Sequence, residues 1–204
     1  LFRQVVFFLT LFTFFDIINW YVYRFTSLSM LQIDISHLEY NELVDFVNAN
    51  ISDFGNFDLE LIFKADYNQS KIIRDLILLL FQKNNIEVPW KNRFVLISDE
   101  LVNNSIEYGS LPLDKNHFTI HFKTIEKSLT INMEVCDTGR GLESKTSHEM
   151  EELKKTKESI FEGYLGKRGR GLFQLVTNLV DELYFRDDSN GGLVVGVRKK
   201  MNIL

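Results

Sequence analysis

Residues 93–109 read RFVLISDELVNNSIEYG, with Phe94, Ile97 and Leu101 at helical spacing and Glu100, Asn103, Asn104 and Glu107 on or near the other side. Glu100 and Asn104 stand four residues apart, so a helix here presents a carboxylate and a carboxamide one turn apart on one face. Oxygens aimed at one point suit magnesium, which takes few protein ligands and completes its octahedron with water and phosphate. The stretch therefore asks for a phosphate-bearing partner. Asp99 and Asn103 form a competing pair one residue earlier.

The surrounding chain supplies regular elements. Phe57–Ala65, FDLELIFKA, alternates apolar and polar residues as a half-buried strand does. Gln69–Lys83 has the pattern of an amphipathic helix with Ile72, Ile73, Leu76, Leu79 and Leu80 inward, and Asn84–Pro89 reads as a loop. Downstream of the quoted stretch, strands are predicted over His117–Thr124 and Ser128–Cys136, joined at Glu126–Lys127. A helix is predicted over Leu172–Val180, then strands over Asp181–Arg186 and Leu193–Lys199 around an Asn190-Gly191-Gly192 turn.

With 204 residues, 45% of them hydrophobic and 25% charged, the chain has ample material for one sizeable core. A net charge of −5 argues against general nucleic-acid binding, which needs a dense basic surface. The single cysteine, Cys136, forbids an intrachain disulfide and reads as inert packing in a reducing compartment.

Upstream, residues 5–23 form an apolar run of bilayer-spanning length interrupted by Asp16 and Asn19. A central Asp costs about 2.5–3.5 kcal/mol on the insertion scale, against roughly 0.3–0.6 kcal/mol gained per large apolar residue. Three readings stay open: a membrane helix, a helix buried against the rest of the protein or a second copy, or a stretch outside the working protein. The chain opens at Leu1 and its first methionine is Met30, which reads as a fragment or an unusual start. The organisation expected is a hydrophobic segment over 1–29, a connector over 30–56 with a helix at Glu39–Asn50, and a principal domain over 57–204. His37 and His148 read as ordinary surface histidines.

Two glycine pairs carry further chemistry. Asp137-Thr138-Gly139-Arg140-Gly141 ends a predicted strand; its glycines permit close backbone approach, and its Asp can accept a hydrogen bond from an exocyclic amine. Gly169-Arg170-Gly171-Leu172 opens a helix whose first amides form a ready anion site. Lys167, Arg168 and Arg170 add positive charge there, as γ-phosphate partners or as solvated charges. Each pair alone is also compatible with an ordinary turn.

The order E-x-x-x-N helix, D-x-G-x-G, then G-x-G-L at a helix start resembles the three nucleotide-binding boxes of the GHKL ATPase superfamily, over about Phe57 to Lys200. The resemblance implies an α/β fold of the two-layer α+β kind: a mixed, mostly antiparallel sheet with helices on one face, here with an apolar N-terminal helix added. It also implies roles. Asn104 would hold Mg2+, and Glu100 would be the general base, preferred over the Asp99/Asn103 pair by its offset to Gly109 and because the family uses Glu. Asp137 would accept from the adenine of ATP, with Gly139 and Gly141 shaping the pocket. Gly169 and Gly171 would let the chain close over the triphosphate, with amides near Gly171 and Leu172 as donors and Lys167 and Arg170 beside them. Residues Leu142–Arg168 would be the ATP lid, with a short helix in SHEMEELKKTKES.

Within the superfamily the sequence is most similar to the anti-sigma factor serine kinases, through the strand, helix and Glu/Asn helix ending in Tyr108-Gly109, and through the absence of a transducer domain after the last strands. That likeness implies a protein serine/threonine kinase regulating transcription by partner switching. Its partners would be a STAS-type anti-sigma antagonist and a sigma factor, its working unit a homodimer, and its place the cytoplasm, attached to the inner face of the membrane if residues 5–23 insert. Two alternatives stay open: the ATPase portion of a sensor histidine kinase system, and a nucleotide-sensing module without turnover.

Overall fold

The computed structural model describes residues 30–52, 56–159 and 171–202. Strands β1 (Leu31–Asp34), β2 (Phe57–Lys64), β3 (Lys115–Ile125), β4 (Ser128–Cys136), β5 (Glu182–Asp187) and β6 (Leu193–Asn202) form one sheet in the order β1-β2-β3-β4-β6-β5. Only β1 and β2 run parallel; every other pairing is antiparallel. This is the mixed, mostly antiparallel sheet expected. The apolar helix expected over 5–23 lies outside the described residues, and among the described residues no helix is long and apolar enough to cross a membrane.

Period-2 alternation decides which face is covered. Phe57, Leu59, Leu61 and Phe63 of β2 are buried, as are Phe118, Ile120 and Phe122 of β3 and Leu129, Ile131, Met133 and Val135 of β4. Each such side chain contributes about 1.5–3 kcal/mol by leaving water. Against this face lie α2 (Tyr67–Lys83) and α3 (Trp90–Asn104), whose buried stripes are Ile73, Leu76, Ile77, Leu80 and Phe81 on the first and Phe94, Ile97, Leu101 and Val102 on the second. The Phe81 ring packs 5.0 Å from Phe94 and edge-on to Phe122, which itself stacks 5.1 Å from Phe57.

The opposite face is a lattice of polar pairs across strands. Asp58 bonds His121 at 2.7 Å, Glu60 bonds His117 at 2.8 Å, and Glu134 accepts from Tyr184 and Arg186.

The stretch expected as a connector joins the sheet and core. β1 pairs Leu31–Asp34 with Leu59–Ile62, and α1 (Tyr40–Asn50) buries Leu43 and Val47. A reciprocal capping box between Glu39 and Glu42 starts α1, close to the predicted helix. His37 and His148 are surface residues, as expected.

Candidate functional site

The helix α3 carries Glu100 and Asn104 one turn apart and then changes pitch. Ser105–Gly109 continue it as a π turn. Ser105 Oγ donates to the Val102 carbonyl at 2.8 Å, a local bond that competes with the helical pattern at that point. Wider turns of this kind are frequent at functional sites. Asp99 faces α2 instead, with Arg74 at 3.5 Å and Ser70 at 3.4 Å, so the competing carboxylate is already engaged. Glu100 is half-buried; burial, then the negative charges of Asp99 and Glu107, raise its carboxyl above the ordinary value.

At the end of β4, Asp137 is 9% exposed. Its Oδ1 accepts from the Gly139 amide at 2.8 Å and from the Leu193 amide at 2.9 Å, while no described residue hydrogen-bonds its Oδ2. Burial raises this carboxyl and the two amides partly offset the shift. Glycines make the close packing around it possible. A Cβ on Gly109 would stand 1.9 Å from Asp137 Oδ2, and one on Gly141 would stand 2.0 Å from the Tyr108 carbonyl. Gly139 adopts φ 66°, which glycine takes without strain, and lies against the Gly191 carbonyl. The loop is pinned to the π turn by the Gly141 amide, 3.1 Å from the Gly109 carbonyl.

Between these elements lies a cavity of about 170 Å³. Asn104 and Asp137 both line it, on walls made by Leu101, Val135, Met150, Leu153, Leu172 and Phe173. Glu143, Ser144 and Lys145 stand at the same cavity. Helix α4 (Ser147–Ser159) contributes Met150 and Leu153, and a π-helical segment over Gly171–Val176 contributes Leu172 and Phe173. Of the predicted lid, residues 142–159 are described, and they include the helix expected in SHEMEELKKTKES.

Of the site residues expected from the sequence, the cavity unites Asn104, Asp137 and Leu172, together with the Tyr108-Gly109 pair. Glu100 sits one turn before Asn104 and does not line it; Gly139 and Gly141 shape the loop instead of its lining. Gly171 opens the π-helical segment, and Lys167, Arg168, Gly169 and Arg170 lie outside the described residues. Sequence reading missed the apolar walls from α4 and β6, which carry no signal that separates them from core. It also missed the buried polar side chains Ser110 and Asn116 and the half-buried Thr138, although an Asn in the alternating stretch of β3 is itself an anomaly.

Cys136 is half-buried, and burial followed by the charges of Asp188 and Asp137 pushes its thiol up to about 11. The thiol therefore stays protonated at neutral pH, in keeping with the packing role expected of it.

A family model described as a histidine kinase-like ATPase domain matches residues 63–199. No curated protein matches the chain.

Proposed function

The chain belongs to the histidine kinase-like ATPase domain family, and from that premise we propose that it binds ATP in the cavity beside α3 and transfers the γ-phosphoryl group to a serine or threonine hydroxyl of a protein. The observation that carries the reading is Asp137: a buried carboxylate with one oxygen saturated by backbone amides and the other without a described partner, on a cavity that Asn104 also lines. The residues fit the ligand. Leu101, Met150, Leu153 and Phe173 suit a planar ring, Asp137 Oδ2 suits its exocyclic amine, and the Asn104 carboxamide suits a hard cation at the phosphates.

In the proposed reaction the acceptor hydroxyl oxygen attacks the γ-phosphorus, the bond from that phosphorus to the bridging oxygen of ADP breaks, and the hydroxyl proton passes to Glu100. The raised carboxyl of Glu100 makes it a better proton acceptor once it is ionised. Magnesium, held through Asn104, would neutralise phosphate charge. Lys167, Arg170 and the backbone about Gly169, Gly171 and Leu172 are proposed to close over the triphosphate, with Gly139 and Gly141 keeping Asp137 in place.

A STAS-type antagonist as acceptor, a sigma factor as second partner and a homodimer as working unit are proposals resting on the resemblance through Tyr108-Gly109. Attachment to the inner face of a membrane through residues 5–23 is a proposal of the same standing; recovery of the full chain and of a chain beginning at Met30 in the same soluble fraction would remove it.

Incubation with γ-labelled ATP and candidate acceptors tests the reaction. Acid-stable label on the acceptor is the expected result. Acid-labile label would instead indicate phosphohistidine and the sensor-kinase alternative, and binding without transfer would indicate a sensing module. Glu100→Gln is expected to leave nucleotide affinity within about twofold and to slow transfer roughly 100-fold or more, the usual scale of general-base catalysis. Transfer at the normal rate would remove Glu100 from its role.

A further inference from the structure

Asn116 is wholly buried at an inward position of β3, on a face otherwise carried by Phe118, Ile120 and Phe122. A carboxamide there is costly unless every bond is made. It is satisfied on both sides. Its Oδ1 accepts from Ser110 Oγ at 2.6 Å, and its Nδ2 donates to Ser105 Oγ at 3.1 Å. Ser105 directly follows Asn104 and is held in turn to the Val102 carbonyl. Ser110 Oγ accepts from the Thr138 amide at 3.2 Å, and Thr138 directly follows Asp137. The Thr138 hydroxyl then donates to Asp114 at 2.8 Å, which also takes the Leu111 amide and pairs with Arg140 at 3.1 Å. One buried side chain thus ties together the chain neighbours of Asn104 and Asp137, both of which line the cavity.

We propose that Asn116, acting through Ser105 and Ser110, is a positioning residue that fixes the distance between the Asn104 carboxamide and the Asp137 carboxylate, so that one ligand engages both. The proposal rests on the nucleotide reading of the cavity. Asn116 touches no ligand itself. A buried network with every member satisfied specifies geometry more than it adds stability, and displacement of a site by about 1 Å costs on the order of 100-fold. Its removal therefore has a particular signature. A ligand that meets Asp137 alone keeps its contact, whereas a ligand that spans both residues loses the match.

The test compares adenosine with Mg·ADP by calorimetry or NMR titration in Asn116→Leu and in Ser110→Ala, the second of which removes the bridging hydroxyl with little change in volume. Both variants are expected to bind adenosine within twofold of the wild type and Mg·ADP at least tenfold more weakly. Equal losses for the two ligands, a loss confined to adenosine, or unchanged Mg·ADP binding would each overturn the proposal. Amide exchange in the free protein supplies a readout that needs no nucleotide. In Asn116→Leu, the Thr138 amide is expected to exchange at least tenfold faster while Val195 in the β4–β6 ladder is unchanged; unaltered Thr138 protection would overturn the tether. A wild type that binds neither ligand, but whose Thr138 protection responds to Asn116→Leu, would overturn the nucleotide reading with the tether intact.

Discussion

In the proposed function, Asp137 is where folding and binding make opposing demands. Burial raises its carboxyl above the ordinary value of 3.8, so the stability contributed by the protonated form is present below that value and is lost as pH rises through the raised one. Burial of the ionised group opposes folding, and in the proposed function Oδ2 of that group is what meets the adenine amine. Asp137→Asn is therefore expected to leave the urea midpoint at neutral pH unchanged or higher. The same change sets an amide donor against the adenine amino donor. Losing a hydrogen bond to a charged group costs about 1.5–3 kcal/mol, roughly 10- to 100-fold in affinity. Calorimetry over a pH series should also show Mg·ATP binding weaken as the raised carboxyl protonates on acidification. Gly109 guards the same oxygen. A methyl there would stand 1.9 Å from Oδ2 and 2.2 Å from the carboxyl carbon, and the carboxylate cannot retreat without breaking its bonds to Gly139 and Leu193. Gly109→Ala is expected to abolish measurable Mg·ATP binding and to cost about 1–3 kcal/mol in urea unfolding, the scale of overpacking. Binding at wild-type affinity would mean that the carboxylate is not a contact.

Elements differ in how far the sequence announces them. Alternation marks β2, β3 and β4 because one face of each meets the core, and the i, i+3, i+4 spacing marks α2 and α3 for the same reason. The short β1 stayed hidden. Its four residues gain their conformation from parallel pairing with Leu59–Ile62, a long-range relation that no local pattern expresses. The pitch change after Asn104 was also illegible, since it depends on side-chain bonds of Ser105 in the folded chain. Helix α4 was legible as a helix but not as a part of the cavity wall. It is fastened at its start to Asp187, the last residue of β5, which accepts from the Ser147 amide at 2.7 Å and its hydroxyl at 2.8 Å. Those bonds, the amide first, lower the Asp187 carboxyl. The tie is consequently present above the ordinary value of 3.8 and is lost as pH falls through the lowered one. Asp187→Ala should speed amide exchange in the first turns of α4 while leaving β3 and β4 protected; unchanged exchange would show that the helix is held by its other ties, the packing of Met150 and Leu153 and the Lys154 bond to the Leu183 carbonyl. On the other face of the sheet, the Tyr184 ring covers Gly196 so closely that a Cβ would stand 2.2 Å from its Cζ. Gly196→Val should displace that ring from Asn132 and Glu134 and lower stability by about 1–3 kcal/mol in urea unfolding.

Across the molecule, the cavity draws on elements far apart in the chain: α3, the end of β4, α4, the segment after residue 170 and the start of β6. Asn104 and Asp137 were legible because a carboxylate and a carboxamide set at fixed spacing from glycines imply chemistry. Its walls were not, because Met150, Leu153, Phe173 and Val195 look like any core residue until folding sets them around one space. Such a convergence predicts how a ligand acts on stability. A nucleotide that binds only the folded chain adds RT ln(1 + [L]/Kd), about 2.7 kcal/mol at a hundredfold excess over Kd. For a domain of this size each kcal/mol moves the midpoint by roughly 2–4 °C, so Mg·ATP should raise Tm by about 5–11 °C. Glu100→Gln should retain that shift, because Glu100 does not line the cavity. Asp137→Asn and Gly109→Ala should lose most of it. Mg·GTP is the sharper control: guanine presents a carbonyl oxygen where adenine presents an amine, and that oxygen would face the Asp137 carboxylate acceptor to acceptor. Its shift should stay under about 2 °C at the same concentration. Equal shifts with the two nucleotides would mean that triphosphate and metal dominate binding and that Asp137 does not read the base.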